Sequence, residues 1–373
     1  MLFRSQAVFI GDEAKIGQDL TINAGFRYDR LNLDMEGYNN ATFTVYRDTS
    51  HADYSASLGL NYLIGKRSAV YANATRAYRM PDYSAYSVLG VTYNATTFAP
   101  TYRNAPNGIS KNEIIQNAEI GYRTGFGDLG IDFAGYYTNI ANRLAVFYEN
   151  GVGISKPQGT NSIRGLELGL TYAPSQVRGL LLRGNMTYQK AQFEDYNLPI
   201  GASKVAGKWT YNVDPNGNLY GNTIEKKADS TATSSAIYFI NLKGKQLPGV
   251  PALLANLIGS YDSKFFGVNV NYNLVSQVYY DATNIVKAPD VHTVNAGMFG
   301  RYFLKNGNEI RLDFLVKNLI NSDNAFRILY LNENDTALRQ KQKDATLAAA
   351  TSGWVSGIPQ LPRRFLVTLS YKF

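Results

Sequence analysis

Leu20-Thr-Ile-Asn-Ala-Gly-Phe-Arg-Tyr-Asp29 is the stretch on which the fold class turns. Taken alternately, Leu20, Ile22, Ala24, Phe26 and Tyr28 form one set, and Thr21, Asn23, Gly25, Arg27 and Asp29 the other. An apolar/polar period of two marks a β-strand with unlike faces, because successive side chains of an extended chain point to opposite sides. The pattern recurs from Tyr54, where Tyr54, Ala56, Leu58, Leu60 and Tyr62 oppose Ser55, Ser57, Gly59 and Asn61. It closes the chain, with Phe365, Val367, Leu369, Tyr371 and Phe373 against Arg364, Leu366, Thr368, Ser370 and Lys372. Helical period is almost absent.

Thirteen such stretches are expected, at 6–16, 20–33, 54–64, 69–79, 113–124, 129–148, 163–173, 180–193, 251–262, 268–280, 294–303, 309–320 and 364–373. Their connections alternate in length. Short turns at 17–19, 65–68, 125–128, 174–179, 263–267 and 304–308 contrast with long connections that include 81–112, 194–250 and 321–363. A soluble sandwich also shows alternation but has no reason to segregate loop length, whereas a transmembrane barrel keeps short turns on the periplasmic side and long loops outside. The predicted fold is therefore all-β, a partial antiparallel transmembrane β-barrel of about thirteen strands. Tyr28, Tyr54, Tyr62, Tyr122, Tyr172, Tyr188, Tyr261, Tyr302 and Tyr371 fall where interfacial aromatic girdles belong. On the opposite face Arg27, Asp29, Glu119, Arg123, Glu167, Arg183, Arg311, Asp313 and Lys317 would line a wet lumen.

Composition narrows the function. The chain has 373 residues, 45% hydrophobic and only 18% charged, with 28 Tyr against 2 Trp. No run approaches the roughly 18 apolar residues of a membrane-spanning helix, which excludes an α-helical membrane protein. The absence of Cys removes disulfides, thiolate metal sites and Cys nucleophiles, and fits an oxidising compartment. Two His, at 51 and 292, are too few and too far apart for a metal cage or a His-based catalytic centre. The net charge of +8 is spread along the chain, and its densest stretch, Arg339-Gln-Lys-Gln-Lys343, carries no nucleic-acid signature. Met1-Leu-Phe-Arg-Ser-Gln-Ala-Val-Phe9 lacks the charged start, apolar core and cleavage site of a signal peptide, so none is expected within the chain.

Several strands resemble the TonB-dependent outer-membrane receptors. Ala7-Val-Phe-Ile-Gly-Asp-Glu-Ala-Lys-Ile16 followed by Leu20 to Asp29 resembles paired strands ending in that family's Gly-x-Arg-Tyr-Asp pattern. Matches in the family's order follow: Tyr71-Ala-Asn-Ala-Thr-Arg-Ala-Tyr-Arg-Met-Pro81, Asn117-Ala-Glu-Ile-Gly-Tyr-Arg123, Ile163-Arg-Gly-Leu-Glu-Leu-Gly-Leu-Thr-Tyr172, Val316-Lys-Asn-Leu-Ile-Asn321 and Pro362 to Phe373. The resemblance implies a 22-stranded barrel with an internal plug. Against it, residues 1–373 read as one domain, the C-terminal part of such a barrel from about the tenth strand, with no plug or energy-coupling box. It also implies location in the cell outer membrane of a Gram-negative bacterium, and import of a scarce nutrient, a ferric siderophore above all, or cobalamin or an oligosaccharide. Implied partners are outer-membrane lipid and lipopolysaccharide, the barrel assembly machinery, the inner-membrane TonB complex acting through the plug, and a small nutrient ligand, but no nucleic acid. Tyr371 and Phe373 resemble the family's C-terminal assembly signal.

No enzyme, cofactor or metal is expected. An outer-membrane protease, lipase or phospholipase would need a nucleophile or acid-base set, and His292 beside Asp290 has no Gly-x-Ser-x-Gly or comparable setting. A passive porin is the other alternative. Asp323-Asn-Ala-Phe326 and Asn332-Glu-Asn-Asp335 lack EF-hand spacing, and Gly151-Val-Gly153 precedes no helix. Ligand capture is expected on the outer loops, held by the scaffold beneath them. The loop after Pro81 carries Tyr83, Tyr86, Tyr93, Tyr102 and Arg103, suited to an anionic chelate or to stacking on sugars. Residues 334–350 have a helix-forming composition that could cover the mouth.

Overall fold

The computed structural model describes residues 2–39, 43–80, 91–93, 100–102, 111–149, 152–157, 159–205, 208–209, 224–226, 235–279, 282, 284, 287–305, 307–322, 327–331, 355–358 and 361–373. Thirteen strands form one antiparallel sheet in chain order. They are β1 (Leu2–Ile16), β2 (Leu20–Asn39), β3 (Phe43–Leu63), β4 (Ser68–Arg79), β5 (Glu113–Phe126), β6 (Leu129–Ala141) and β7 (Thr160–Tyr172), then β8 (Leu180–Asp195), β9 (Leu253–Asp262), β10 (Phe266–Val275), β11 (Val291–Phe303), β12 (Glu309–Lys317) and β13 (Arg364–Lys372). Since neighbours in sequence are neighbours in the sheet and run antiparallel, the six short turns share one end and the six remaining connections share the other. Gly17 and Gly65 enter the left-handed region at φ 66° and 71°, where a side chain would be strained, and so reverse the chain within a few residues. At 263–265 a serine does this work: the Ser263 backbone N–H and hydroxyl both donate to the Phe266 carbonyl, at 2.8 and 2.6 Å.

Register fixes the faces, because directly opposed residues lie on one side of a sheet. Tyr28 faces Tyr54, Tyr62 faces Val70, Val70 faces Tyr122, and Tyr302 faces Ile310, which faces Tyr371. All nine expected girdle tyrosines therefore lie on the apolar face, and all nine expected lumen charges lie on the other. No second layer covers the apolar face among the described residues. Val8, Ile120, Leu257 and Leu369 stand open at 74, 63, 54 and 72% exposure. A sheet displaying continuous apolar rows in this way is built for lipid, and the opposite polar face is then the lumen.

A lipid-spanning strand needs only about 9–11 residues, so β2 and β3, at 20 and 21, continue well above the bilayer. Three expected strands end early: 268–280 stops at Val275, beyond which Val278–Tyr279 pairs with Lys287–Ala288, and two others break at asparagines. The stretch 129–148 breaks at Asn142, at φ 56°, and residues Leu144–Glu149 pair instead with Val152–Pro157 in a separate ribbon. The stretch 309–320 stops at Lys317 because Asn318 turns the chain at φ 54°. Other two-stranded pairings lie in the same outer connections, among them Val91–Tyr93 with Pro100–Tyr102. The sheet is open: β1 and β13 are its ends and are not bonded to each other.

Candidate functional site

The lumen face is laced by charge pairs that its two-residue spacing and register dictate. Arg27 and Asp29 are two apart on one strand, hence on the same face, and the guanidinium grips the carboxylate with bonds of 2.7–2.9 Å. Arg311 and Asp313 repeat the arrangement on β12. Arg123 and Asp132 are cross-strand partners, 2.8 Å apart, and the Tyr71 hydroxyl donates to the same carboxylate at 3.1 Å. Near the end that carries the short turns Phe299 lies between Arg301 and Arg311, whose guanidiniums stand 4.4 and 3.9 Å from its ring centre. Arg301 also pairs with Asp262 and Glu309. Rows of paired opposite charges give a wetted wall rather than a single deep charge, which suits passage of a polar solute.

At the outer end the pairs tie down the loop stems. Arg79, last residue of β4, and Glu113, first of β5, flank the connection 81–112 and join at 2.8 Å. The Glu113 side chain is 8% exposed and the Arg79 side chain 58%, so the acid end of the clamp is shielded while the guanidinium meets solvent. Asp53 collects two further groups: Arg76 at 2.8 Å and the Asn112 side-chain amide at 2.8 Å. Arg76 also stacks 3.8 Å over the Tyr54 ring.

Four asparagines, Asn142, Asn284, Asn318 and Asn321, are the described non-glycine residues with positive φ. Asparagine tolerates that conformation because its short polar side chain bonds locally. Here each amide reaches another outer segment. Asn142 donates to the Asn112 carbonyl, and Asn284 exchanges two bonds with the Gln246 backbone. Asn318 donates to the carbonyls of Ser322 and Leu361 and accepts from the Ser322 N–H, while Asn321 accepts from the Arg363 N–H. A small apolar core around fully buried Leu242, with Ala191, Phe193, Tyr196 and Leu247, extends the wall above β8. The mouth thus rests on stems fixed by side chains.

The sequence-expected ligand residues meet this scaffold unevenly. Tyr83, Tyr86 and Arg103 lie outside the described residues, as do 334–350, Asp323 and Asn332. Tyr93 pairs with Pro100 and Tyr102 with Val91 in the short ribbon of that loop. Tyr371 lies on the outward row of β13, edge-on to Phe373 at 5.0 Å, and Phe373 is 95% exposed. His292 faces outward and shares a 2.9 Å hydrogen bond with the Tyr272 hydroxyl, while the Asp290 carboxylate accepts the Gln277 N–H. His292 and Asp290 therefore have separate partners, and among the described residues no group of three or more His, Asp or Glu could hold a metal. The Asp53–Arg76–Asn112 group and the asparagine pins were not anticipated. The signal available for the first was an acidic residue at the outer end of a polar row.

Among curated proteins, no sequence match was found. Solved structures do match in fold. The chain is similar to BauA, the ferric preacinetobactin receptor of Acinetobacter baumannii, at TM-score 0.60 and 14% identity, covering 100% of this chain and 43% of that one. The ferric yersiniabactin uptake receptor FyuA of Yersinia pestis matches at TM-score 0.60 and 15%, covering 100% and 46%. The copper transporter OprC matches at 0.61 and 15%, covering 100% and 48%. The chain thus spans under half the length of these solved relatives. At this identity the likeness shows a shared barrel fold. The family model described as "TonB dependent receptor-like, beta-barrel" matches residues 3–319, and the chain belongs to that family.

Proposed function

We propose that residues 1–373 are the C-terminal part of the barrel of a TonB-dependent receptor, seated in the outer membrane of a Gram-negative bacterium. The whole receptor captures a scarce nutrient at its outer loops and imports it with energy from the inner-membrane TonB complex, acting through a plug. The observation that carries this reading is the family match across residues 3–319, joined to an open sheet whose six short turns leave from one end and whose other connections leave from the opposite end. A ferric siderophore is the favoured cargo, since two of the matching structures are named as ferric preacinetobactin and ferric yersiniabactin receptors and another as a siderophore receptor. Copper, cobalamin and an oligosaccharide remain classes to be separated by experiment. Tyr83, Tyr86, Tyr93, Tyr102 and Arg103 are the proposed capture residues, and Tyr371 with Phe373 the proposed signal for the assembly machinery.

Uptake by the complete receptor tests this. Deleting 83–103 should abolish most uptake, because aromatic and cationic groups at the mouth make the capture. Replacing both His51 and His292 with Ala should leave it within about twofold, since capture is assigned to the loop 83–103 and neither histidine belongs to a group that could hold a metal among the described residues. A panel of ferric siderophores, copper, cobalamin and oligosaccharides reads out both arms. Normal uptake after the loop deletion, with loss in the double histidine variant, would sink the reading.

A further inference from the structure

A glycine inside a strand weakens it, so its position calls for a reason such as the close approach of another group. Two lumen-facing glycines of the sheet share one. Gly121 on β5 is directly opposed to Tyr71 on β4, and Gly165 on β7 to Tyr136 on β6. In each pair the tyrosine ring leans across the glycine. A Cβ added at Gly165 would stand 2.7 Å from Cζ and Oη of Tyr136, and one at Gly121 would press closer still on Tyr71. Carbon atoms in contact need about 3.5 Å, so any side chain larger than hydrogen would evict the ring. The same opposition recurs at Gly267, across which the Phe299 ring lies.

The two tyrosines are anchored at their far ends. The Tyr71 hydroxyl crosses β5 to donate to the Asp132 carboxylate on β6 at 3.1 Å. The Tyr136 hydroxyl crosses β7 to donate to the side-chain oxygen of Gln189 on β8 at 2.7 Å, and the Gln189 amide donates in turn to the Pro251 carbonyl at 2.9 Å. A belt of side chains thus runs along the lumen side from β4 to the approach of β9, each tyrosine spanning three strands over a glycine. The backbone lies behind the glycine, so a Cβ beneath a ring can push it only away from the sheet. That direction is the lumen, and a ring displaced into it gives up its hydrogen bond.

We propose that Gly121 and Gly165 are clearance residues of the transport path: they seat Tyr71 and Tyr136 against the wall and keep both rings out of the space through which cargo moves. Each acts through the ring it seats and is a positioning residue. This role rests on the import reading above.

The test uses the complete receptor, with Gly121→Ala and Gly165→Ala made separately and each repeated without its ring, as Gly121→Ala with Tyr71→Ala and Gly165→Ala with Tyr136→Ala. Hydroxyl-radical footprinting of the purified, heat-modifiable protein reads the rings directly. Oxidation of Tyr71 should rise about threefold in Gly121→Ala, and that of Tyr136 likewise in Gly165→Ala. In whole cells, entry of radiolabelled iron as its citrate and hydroxamate complexes, of copper(II), of cobalamin and of maltohexaose identifies the cargo that the wild type imports. For that cargo the maximal rate should fall at least threefold in each alanine variant, while the half-saturating concentration stays unchanged because capture is at the mouth. Removing the ring should return the rate to within twofold of wild type. Unchanged oxidation rejects the seats. Raised oxidation with an unchanged rate, or a loss that persists without the ring, rejects the clearance role and leaves the receptor reading intact. A wild type that imports none of these cargoes overturns both. If an alanine variant fails to fold, folding of its ring-deleted counterpart supports the seat, and failure of both rejects it.

Discussion

Asn318 does three things in one residue: it ends β12, turns the chain at φ 54°, and bonds both Ser322 and Leu361. The effects separate by substitution. Asn318→Gly keeps the backbone conformation but loses the amide's bonds, while Asn318→Ala loses both. Each hydrogen bond contributes about 0.5–1.5 kcal/mol, and an alanine held in the left-handed region adds about 1 kcal/mol of strain. The expected order of folded receptor in outer-membrane fractions is therefore wild type, then Gly, then Ala, and protease should reach the connection 323–360 faster in the same order. An alanine variant as resistant as wild type would mean that the pin holds nothing.

At the scale of the strand, β13 ends the sheet with Phe365, Val367, Leu369 and Tyr371 on one outward row and Phe373 beyond it. Deleting Phe373 from the complete receptor should lower its folded, heat-modifiable form in outer membranes severalfold, because the row loses the residue at the free end where the assembly machinery would engage. Unchanged folded protein in that fraction would remove the signal role. Strands of this kind were legible in the sequence, since each face is set by a period of two and a one-residue slip would turn every apolar group inward. The misreading at 129–148 has a physical cause. Outward residues fall on odd numbers as far as Ala141, whereas Leu144-Ala-Val-Phe-Tyr148 is apolar at every position and reads as strand in either phase; composition hid the break at Asn142. The site was less legible. Asp53 and Asn112 meet across 59 positions, which only strand register can bring together. A lone asparagine in the left-handed region leaves no periodic trace, and the opposition of Tyr136 to Gly165 required the pairing of β6 with β7.

For the whole molecule, alternation of direction puts the connections at 81–112, 196–252 and 318–363 on one side. Protease added to intact cells should cut within these and spare the turn at 304–308. Cleavage confined to that turn would invert the orientation. The same arrangement has a consequence in chain entropy. The connection from 196 to 252 is about twenty times as long as the turn at 17–19. With closure growing as (3/2)RT ln n, that ratio disfavours folding by only about 2.6 kcal/mol. Length on the outer side is thus nearly free to vary, while the wall below, held by register, is not. A lineage built on this sheet can exchange what it recognises by rewriting its loops and leave the ladders untouched.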